Sequence, residues 1–371
     1  MVEPAYKGTT ASAREDEARA PQRSTTGPTA EVYWLPDATV FTEARFMKRF
    51  NAFVAASQYE AAANYLVDLL PRLSRSKLNI KEKINHLLYM SRIIQRAGHT
   101  KHGYNKLLRK AGRVERQIAG LDLPRGGGFL EVGCGAHDPV GLATYYYLNG
   151  FDSAHAVDVL PPRNTAYSAY SMYDILAHAR LFPQMYCRHG VSPRTILMRS
   201  YTFDIGKFEC GDFWGGLSPL RGQIKYEVCD ASESTIEAGS LSLACSFAVL
   251  EHVADLPAFC AKLYDALMPG GIAFHFVDLA DHRAYRVGGP YHPLSFLTEE
   301  TAPPNLNRIR AHEQIEIQLN AGFDLIREKR GHVAVPDKIR TLLQPQFAAM
   351  KERDMSAIKL SMVLRKPARQ I

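Results

Sequence analysis

An α/β fold built on a mostly parallel sheet and preceded by a helical region is predicted by three observations. Short apolar runs alternate with helix-period segments from Phe129 onward, the pattern of repeated βαβ units. The first run, FLEV, passes into the turn Gly133-Cys134-Gly135 and then into the helix-like GLATYYYLNG, so glycines join a buried strand to a helix. Before Leu123 the apolar residues recur at helical spacing instead, without the strand-length runs seen later.

Residues 1–30 are rich in Ala, Thr, Pro, Glu and Arg and poor in large apolar side chains, which predicts a flexible tail. Phe46, Phe50, Phe53 and Val54 share a helical face, as do Tyr65, Leu66, Leu69 and Leu70. Ile80, Ile84, Leu87, Leu88 and Ile94 continue the period, so residues 31–122 read as an N-terminal helical domain. Leu123-Pro124-Arg125 and three glycines mark the boundary, and 123–371 is the expected α/β domain. Its second strand, SAHAVDV, ends at Asp158, about 20 residues past the glycine turn, where one carboxylate can accept from both hydroxyls of a ribose. Residues 160–222 form an insertion longer than a minimal crossover. It holds a helical stretch with Tyr167, Tyr170 and Tyr173, expected to pack rather than line a pocket, and then the glycine- and aromatic-rich GKFECGDFWGGLSPLRG. The third strand, IKYEVCD, ends at Asp230 before Ala231, and the fourth, Ser240 to Val253, turns polar at Glu251 and His252. A helix with Leu256, Phe259, Leu263 and Leu267 on one face is broken by Pro269-Gly270-Gly271, after which the fifth strand, IAFHFVDL, begins. A helix over 311–320 and two last strands, in AGFDLIREKR and SAIKLSMVLRKP, complete a seven-stranded sheet with an antiparallel edge pair.

The glycine turn with its preceding acid, Asp158, Asp230, the LEHV strand end and the Pro-Gly-Gly turn resemble, in that order, the class I S-adenosylmethionine-dependent methyltransferases, over about residues 125–368. The resemblance implies a Rossmann-like fold with S-adenosyl-L-methionine as cofactor. It places Glu131, Gly133, Cys134 and Gly135 at the cofactor's amino-acid end, Asp158 on the ribose, Asp230 with Ala231 on the adenine, and Phe247 of the fourth strand against the cofactor as well. Ala136 stands at the third glycine position and Pro139 at the helix start, both compatible with the turn. A nicotinamide dehydrogenase fits less well, because Gly-Cys-Gly-Ala lacks the G-x-G-x-x-G spacing.

In this fold the methyl acceptor approaches the ends of the fourth and fifth strands, where a hydroxyl acceptor needs a base near neutral pKa. His282, with Asp278 and Asp281 nearby, is the first candidate and His252 the second, a loop-fixing role being the alternative for each. The run from VDLADH through NLNRIRAHEQ is similar to a bacterial methyltransferase-11/12-like subgroup associated with glycan and secondary-metabolite pathways. Asn307, Arg308 and Arg310 match its motif and read either as anchors for an acceptor carboxylate or phosphate, or as structural residues at the start of the 311–320 helix. Arg283 replaces the subgroup's aromatic residue.

Composition narrows the partners. With 46% hydrophobic and 22% charged residues the chain reads as a globular enzyme. No apolar run approaches the ~20 residues of a membrane span, and the N-terminus lacks a signal-peptide core, so a cytoplasmic protein is expected. The six cysteines are scattered and read as reduced thiols. Cys187 and His189 lack a second ligand pair, so no metal is expected. The formal net charge is +7, yet Arg72–Arg116 holds thirteen Lys or Arg against only Glu82 and Glu115, a solvated face or a surface for an anionic partner. Nucleic acid is not the expected partner, since the run carries no zinc-finger or RNA-binding signature, although nucleic-acid methylation stays an alternative to O-methylation of a sugar, glycan or small metabolite. An inactive binding protein of the same fold is the third reading.

Overall fold

The computed structural model describes residues 103–136, 138–188, 190–286 and 289–368. The predicted tail, the helical faces between Phe46 and Ile94, most of the basic run, and His189 lie outside the described residues. No helix among the described residues is long and apolar enough to cross a membrane.

Seven strands form one sheet in the order β3-β2-β1-β4-β5-β7-β6. They are β1 (Gly128–Val132), β2 (Ala154–Asp158), β3 (Ile224–Val228), β4 (Leu241–Phe247), β5 (Leu267–Asp278), β6 (Asp324–His332) and β7 (Ala357–Arg365). The first five pair in parallel, whereas β7 runs antiparallel to both β5 and β6. Burial follows from this layering: β1 is buried at every residue, as a central parallel strand covered on both faces must be. The edge strand β6, DLIREKRGH, is largely exposed, and its charged side chains discourage pairing with another chain.

Two boundaries differ from the expectation. The fourth strand stops at Phe247, because the chain turns at Ala248, whose φ is 54°. Pro269-Gly270-Gly271 does not precede the fifth strand but lies inside it, as an irregularity between the pairs Leu241–Leu267 and Leu243–Ile272. A side chain at Gly271 would sit 2.8 Å from the Met268 carbonyl, so glycine is what lets the irregularity close.

The helices are α1 (Tyr104–Ile118), α2 (Gly141–Leu148), α3 (Thr165–Leu181), α4 (Pro193–Ser200), α5 (Ile205–Glu209), α6 (Phe213–Leu217), α7 (Leu256–Ala266) and α8 (Ala311–Asn320), with three single turns between β6 and β7. In α1, Leu107, Ala111, Val114 and Ile118 recur at helical spacing and are buried, while the basic residues occupy the other faces. Arg327 of β6 donates to the carbonyls of Gln117 and Ala119, satisfying the open C-terminal end of α1. The insertion is helical because its sequence carries its own start signals: Asn164, Ser192, Asp204 and Asp212 each accept a backbone N–H of the first turn they cap. Tyr173 is buried and Tyr170 exposed, in line with packing on a helix face.

Candidate active site

The β1 turn is shaped by contact as much as by conformation. Gly133 and Gly135 have φ of 66° and 88°, which L side chains rarely adopt. A Cβ on Gly133 would lie 2.2 Å from Val249 Cγ2, so this glycine brings the turn against the loop after β4. A Cβ on Gly135 would meet nothing within 4 Å, leaving open space beside the backbone, as a ligand cradle requires. Asp158, at the end of β2, ties the two strand ends together. Its Oδ2 accepts from Gly135 N at 2.8 Å and its Oδ1 from Leu160 N at 2.9 Å, and each oxygen keeps a lone pair for a ribose hydroxyl. Asp230 caps the turn after β3, its Oδ1 accepting from Ser232 N at 2.9 Å and Ser232 Oγ at 2.6 Å, with Ala231 half-buried beside it. Burial, reinforced by the carboxylates of Glu131 and Asp158, pushes the Cys134 thiol well above its ordinary value, so it stays protonated. These features suit a nucleoside-bearing cofactor: open backbone at the turn, then carboxylates at two successive strand ends.

Glu131 is only 1% exposed, and its charge is met by Lys110 of α1. Burial lowers the Lys110 pKa and raises that of Glu131; the contact between them opposes both effects and leaves Lys110 above its ordinary value. The Lys110 ammonium also sits 5.0 Å from the centre of the Phe247 ring, and the Arg113 guanidinium 5.0 Å from that of Phe276. The basic run singled out in the sequence thus sends two cations over the strand ends. Spacing within α1 puts both on that face, but nothing in the sequence says that the face meets the sheet.

Across the sheet, the ends of β4 and β5 bring the two predicted histidines together, with ring centroids 5.1 Å apart. His252 is exposed, and its Nδ1 bonds the Asn305 carbonyl, so that nitrogen carries the proton and Nε2 is the basic one. His282 Nε2 lies 4.0 Å from Asp278 Oδ2, and partial burial lowers its pKa against the pull of Asp278. Tyr285 donates to both oxygens of Asp278, at 2.8 and 2.6 Å. Glu251 is 3% exposed; burial raises its pKa to about 8, its Oε1 accepts from Asp278 N at 3.3 Å, and its Oε2 has no hydrogen-bond partner among the described residues. Asp281, the other acid near His282, is taken by Arg283, which binds it through two nitrogens and also reaches Glu299 at 2.6 Å.

Asn307, Arg308 and Arg310 direct most of their donors to backbone carbonyls, as the structural one of their two readings requires. Arg310 is 0% exposed and donates to the carbonyls of Leu279, Met355 and Ala357. Asn307 donates to Leu250 O at 2.7 Å and Val253 O at 3.0 Å, and Arg308 to Glu299 O at 2.7 Å and Glu300 O at 3.2 Å. Together they strap the 305–310 segment beneath the site. Arg and Asn side chains serve such straps well, since each offers several donors to carbonyls that would otherwise be buried unpaired.

A family model described as a methyltransferase domain matches residues 103–344, beginning at α1. Among solved structures, an S-adenosylmethionine-dependent methyltransferase from Mesorhizobium loti is 16% identical, with a TM-score of 0.34 and coverage of 68% of this chain and 96% of that one. Phosphoethanolamine N-methyltransferase 2 of Haemonchus contortus, solved with S-adenosyl-L-methionine, is 14% identical, with a TM-score of 0.37 and coverage of 71% and 53%. A geranyl diphosphate methyltransferase, also solved with the cofactor, is 12% identical, with a TM-score of 0.39 and coverage of 70% and 85%. No curated protein matches the sequence. The family match spans most of the chain and takes in the turn, the strand-end acids and the histidine pair, and on it this protein belongs to the methyltransferase domain family.

Proposed function

We propose that the protein methylates an oxygen of a sugar, glycan or small metabolite at the ends of β4 and β5, with His282 as the base. The observation that carries this reading is the imidazole pair beside a carboxylate, 4.0 Å from Asp278 to His282, at that end of the sheet. S-Adenosylmethionine, when bound, supplies an electrophilic methyl group on its sulfonium. Glu131, Gly133, Cys134 and Gly135 would hold its amino-acid end, Asp158 its ribose, Asp230 and Ala231 its adenine, and Phe247 would pack beside it. Asp278, held by Tyr285, orients His282 and favours its taking a proton from the acceptor hydroxyl. His252, fixed through Asn305, stands second.

The catalytic unit begins at α1 on this reading, because Lys110 neutralises the buried Glu131 of the turn. Calorimetric titration with S-adenosylmethionine and S-adenosylhomocysteine tests the cofactor half, and micromolar binding of both is expected. Release of S-adenosylhomocysteine on addition of glycans or nucleotide-sugars then tests the acceptor. A well-folded sample that binds neither cofactor form would overturn the reading, and turnover only on amines or thiols would remove the oxygen acceptor.

A further inference from the structure

We propose that Glu251, His252 and His282 bind a single divalent transition-metal ion at the carboxyl ends of β4 and β5. One carboxylate oxygen and two imidazole nitrogens, one from each of these residues, lie within 4.8 Å of one another. They come from two strand ends with no ligand-type spacing between them, Glu251 and His252 being adjacent and His282 thirty positions on.

Two independent features point to a ligand there. The first is Glu251 Oε2, which is buried and has no hydrogen-bond partner among the described residues, an arrangement that costs free energy unless something occupies the oxygen. Its companion Oε1 is held by Asp278 N, which fixes the carboxylate's direction. The second is His252, whose Nδ1 is committed to the Asn305 carbonyl, leaving the Nε2 lone pair available in the tautomer that metal-bound histidines adopt. The Asp278 carboxylate, steadied by Tyr285, stands 4.0 Å from His282 Nε2 as an outer partner.

Two imidazoles and one carboxylate favour zinc, cobalt, nickel or iron(II) over magnesium or calcium, which prefer all-oxygen sites. Bonds of about 2.0–2.2 Å place ligand atoms roughly 3–3.5 Å apart, so the group closes by about an ångström on binding. His252 is exposed and His282 half-buried, so their rotation supplies that closure. Three protein ligands leave positions open for an oxygen from the acceptor. The catalytic consequence rests on the acceptor placement proposed above, and with the ion present His282 serves as ligand in place of base; the ion binding itself stands apart from that reading.

The test is a Co2+ titration of the chelator-treated full chain, followed by visible absorbance, with S-adenosylhomocysteine calorimetry on the same samples. One Co2+ per chain is expected, with a d–d spectrum lacking the intense sulfur-to-cobalt band that any of the six cysteines would produce. His252→Ala and His282→Ala should each weaken Co2+ binding at least tenfold, and Glu251→Gln likewise, with S-adenosylhomocysteine binding retained as proof of folding. Absence of Co2+ binding in a sample that binds S-adenosylhomocysteine overturns the proposal. So does binding that survives both histidine variants or that shows the sulfur band. Failure of the cofactor reading has a different signature: no heat from S-adenosylhomocysteine, with the cobalt spectrum unchanged.

Discussion

The two halves of the strand-end surface are built differently. Around β1 and β2, backbone does most of the work: positive-φ glycines open a cradle, and Asp158 is fixed by two backbone N–H groups. Around β4 and β5, side chains carry the chemistry, and at least one atom, Glu251 Oε2, has no partner among the described residues. The first half has such an atom too, Glu131 Oε2, but there the carboxylate is paired with the Lys110 ammonium. The second holds unmet bonding capacity, as suits a site completed by an acceptor or an ion. Satisfied polar groups rigidify a structure, whereas a buried unsatisfied one costs free energy until a partner reaches it.

Three variants sharpen that contrast and a fourth probes its edge. Arg310→Ala should be the most damaging, because it leaves buried carbonyls of Leu279, Met355 and Ala357 without a donor. A loss of about 3 kcal/mol is expected in urea unfolding; a loss under ~1 kcal/mol would show that the strap beneath the acceptor half is dispensable. Asp174, on α3 beside the start of α1, accepts from Tyr104 N at 2.9 Å, and burial raises its pKa to about 7. Below about pH 4 it is protonated in both folded and unfolded chains and imposes no cost. As pH rises from 4 to 7 only the unfolded chain loses the proton, so stability falls, and the full cost is reached above pH 7. Asp174→Asn should therefore stabilise the protein at pH 8, by up to about 4 kcal/mol, and change little at pH 4. Equal melting shifts at the two pH values would refute the assignment.

Within the site, His282→Ala should lower turnover roughly a hundredfold with cofactor affinity preserved. Unchanged turnover would place proton removal elsewhere. The smallest effect belongs to the cofactor half: Asp158→Ala should weaken S-adenosylhomocysteine binding at least tenfold, about 1.4 kcal/mol, with a modest drop in melting temperature from the two lost backbone bonds. Undiminished affinity would take Asp158 off the ribose and dissolve the contrast between the halves.

Legibility in the sequence divides along the same line. The glycine turn, the strand-end acid and the succession of strands and helices along the chain are local and readable without coordinates, whereas the order of strands within the sheet, with β7 between β5 and β6, is not. Helix 311–320 was placed to the residue because the Gly322 that follows it is a strong stop signal. The roles of Asn307, Arg308 and Arg310 were open to two readings, since a guanidinium that binds a carboxylate and one that ties down carbonyls look alike in a sequence. Lys110 was visible only as one charge in a basic run, yet it neutralises a buried carboxylate twenty-one positions away.

The sequence by itself determined the α/β class, the glycine turn and the presence of histidines at two strand ends, because periodicity, glycine conformation and chain order are properties of short segments. Only the tertiary structure decided that Asp278 and not Asp281 faces His282, that Arg310 is a buried strap, and that Glu251 joins the histidines with an oxygen to spare. Each of those outcomes depends on which groups are buried together after β4, β5 and the 305–310 segment converge, and burial decides whether a polar atom finds a partner in the chain or waits for one from outside.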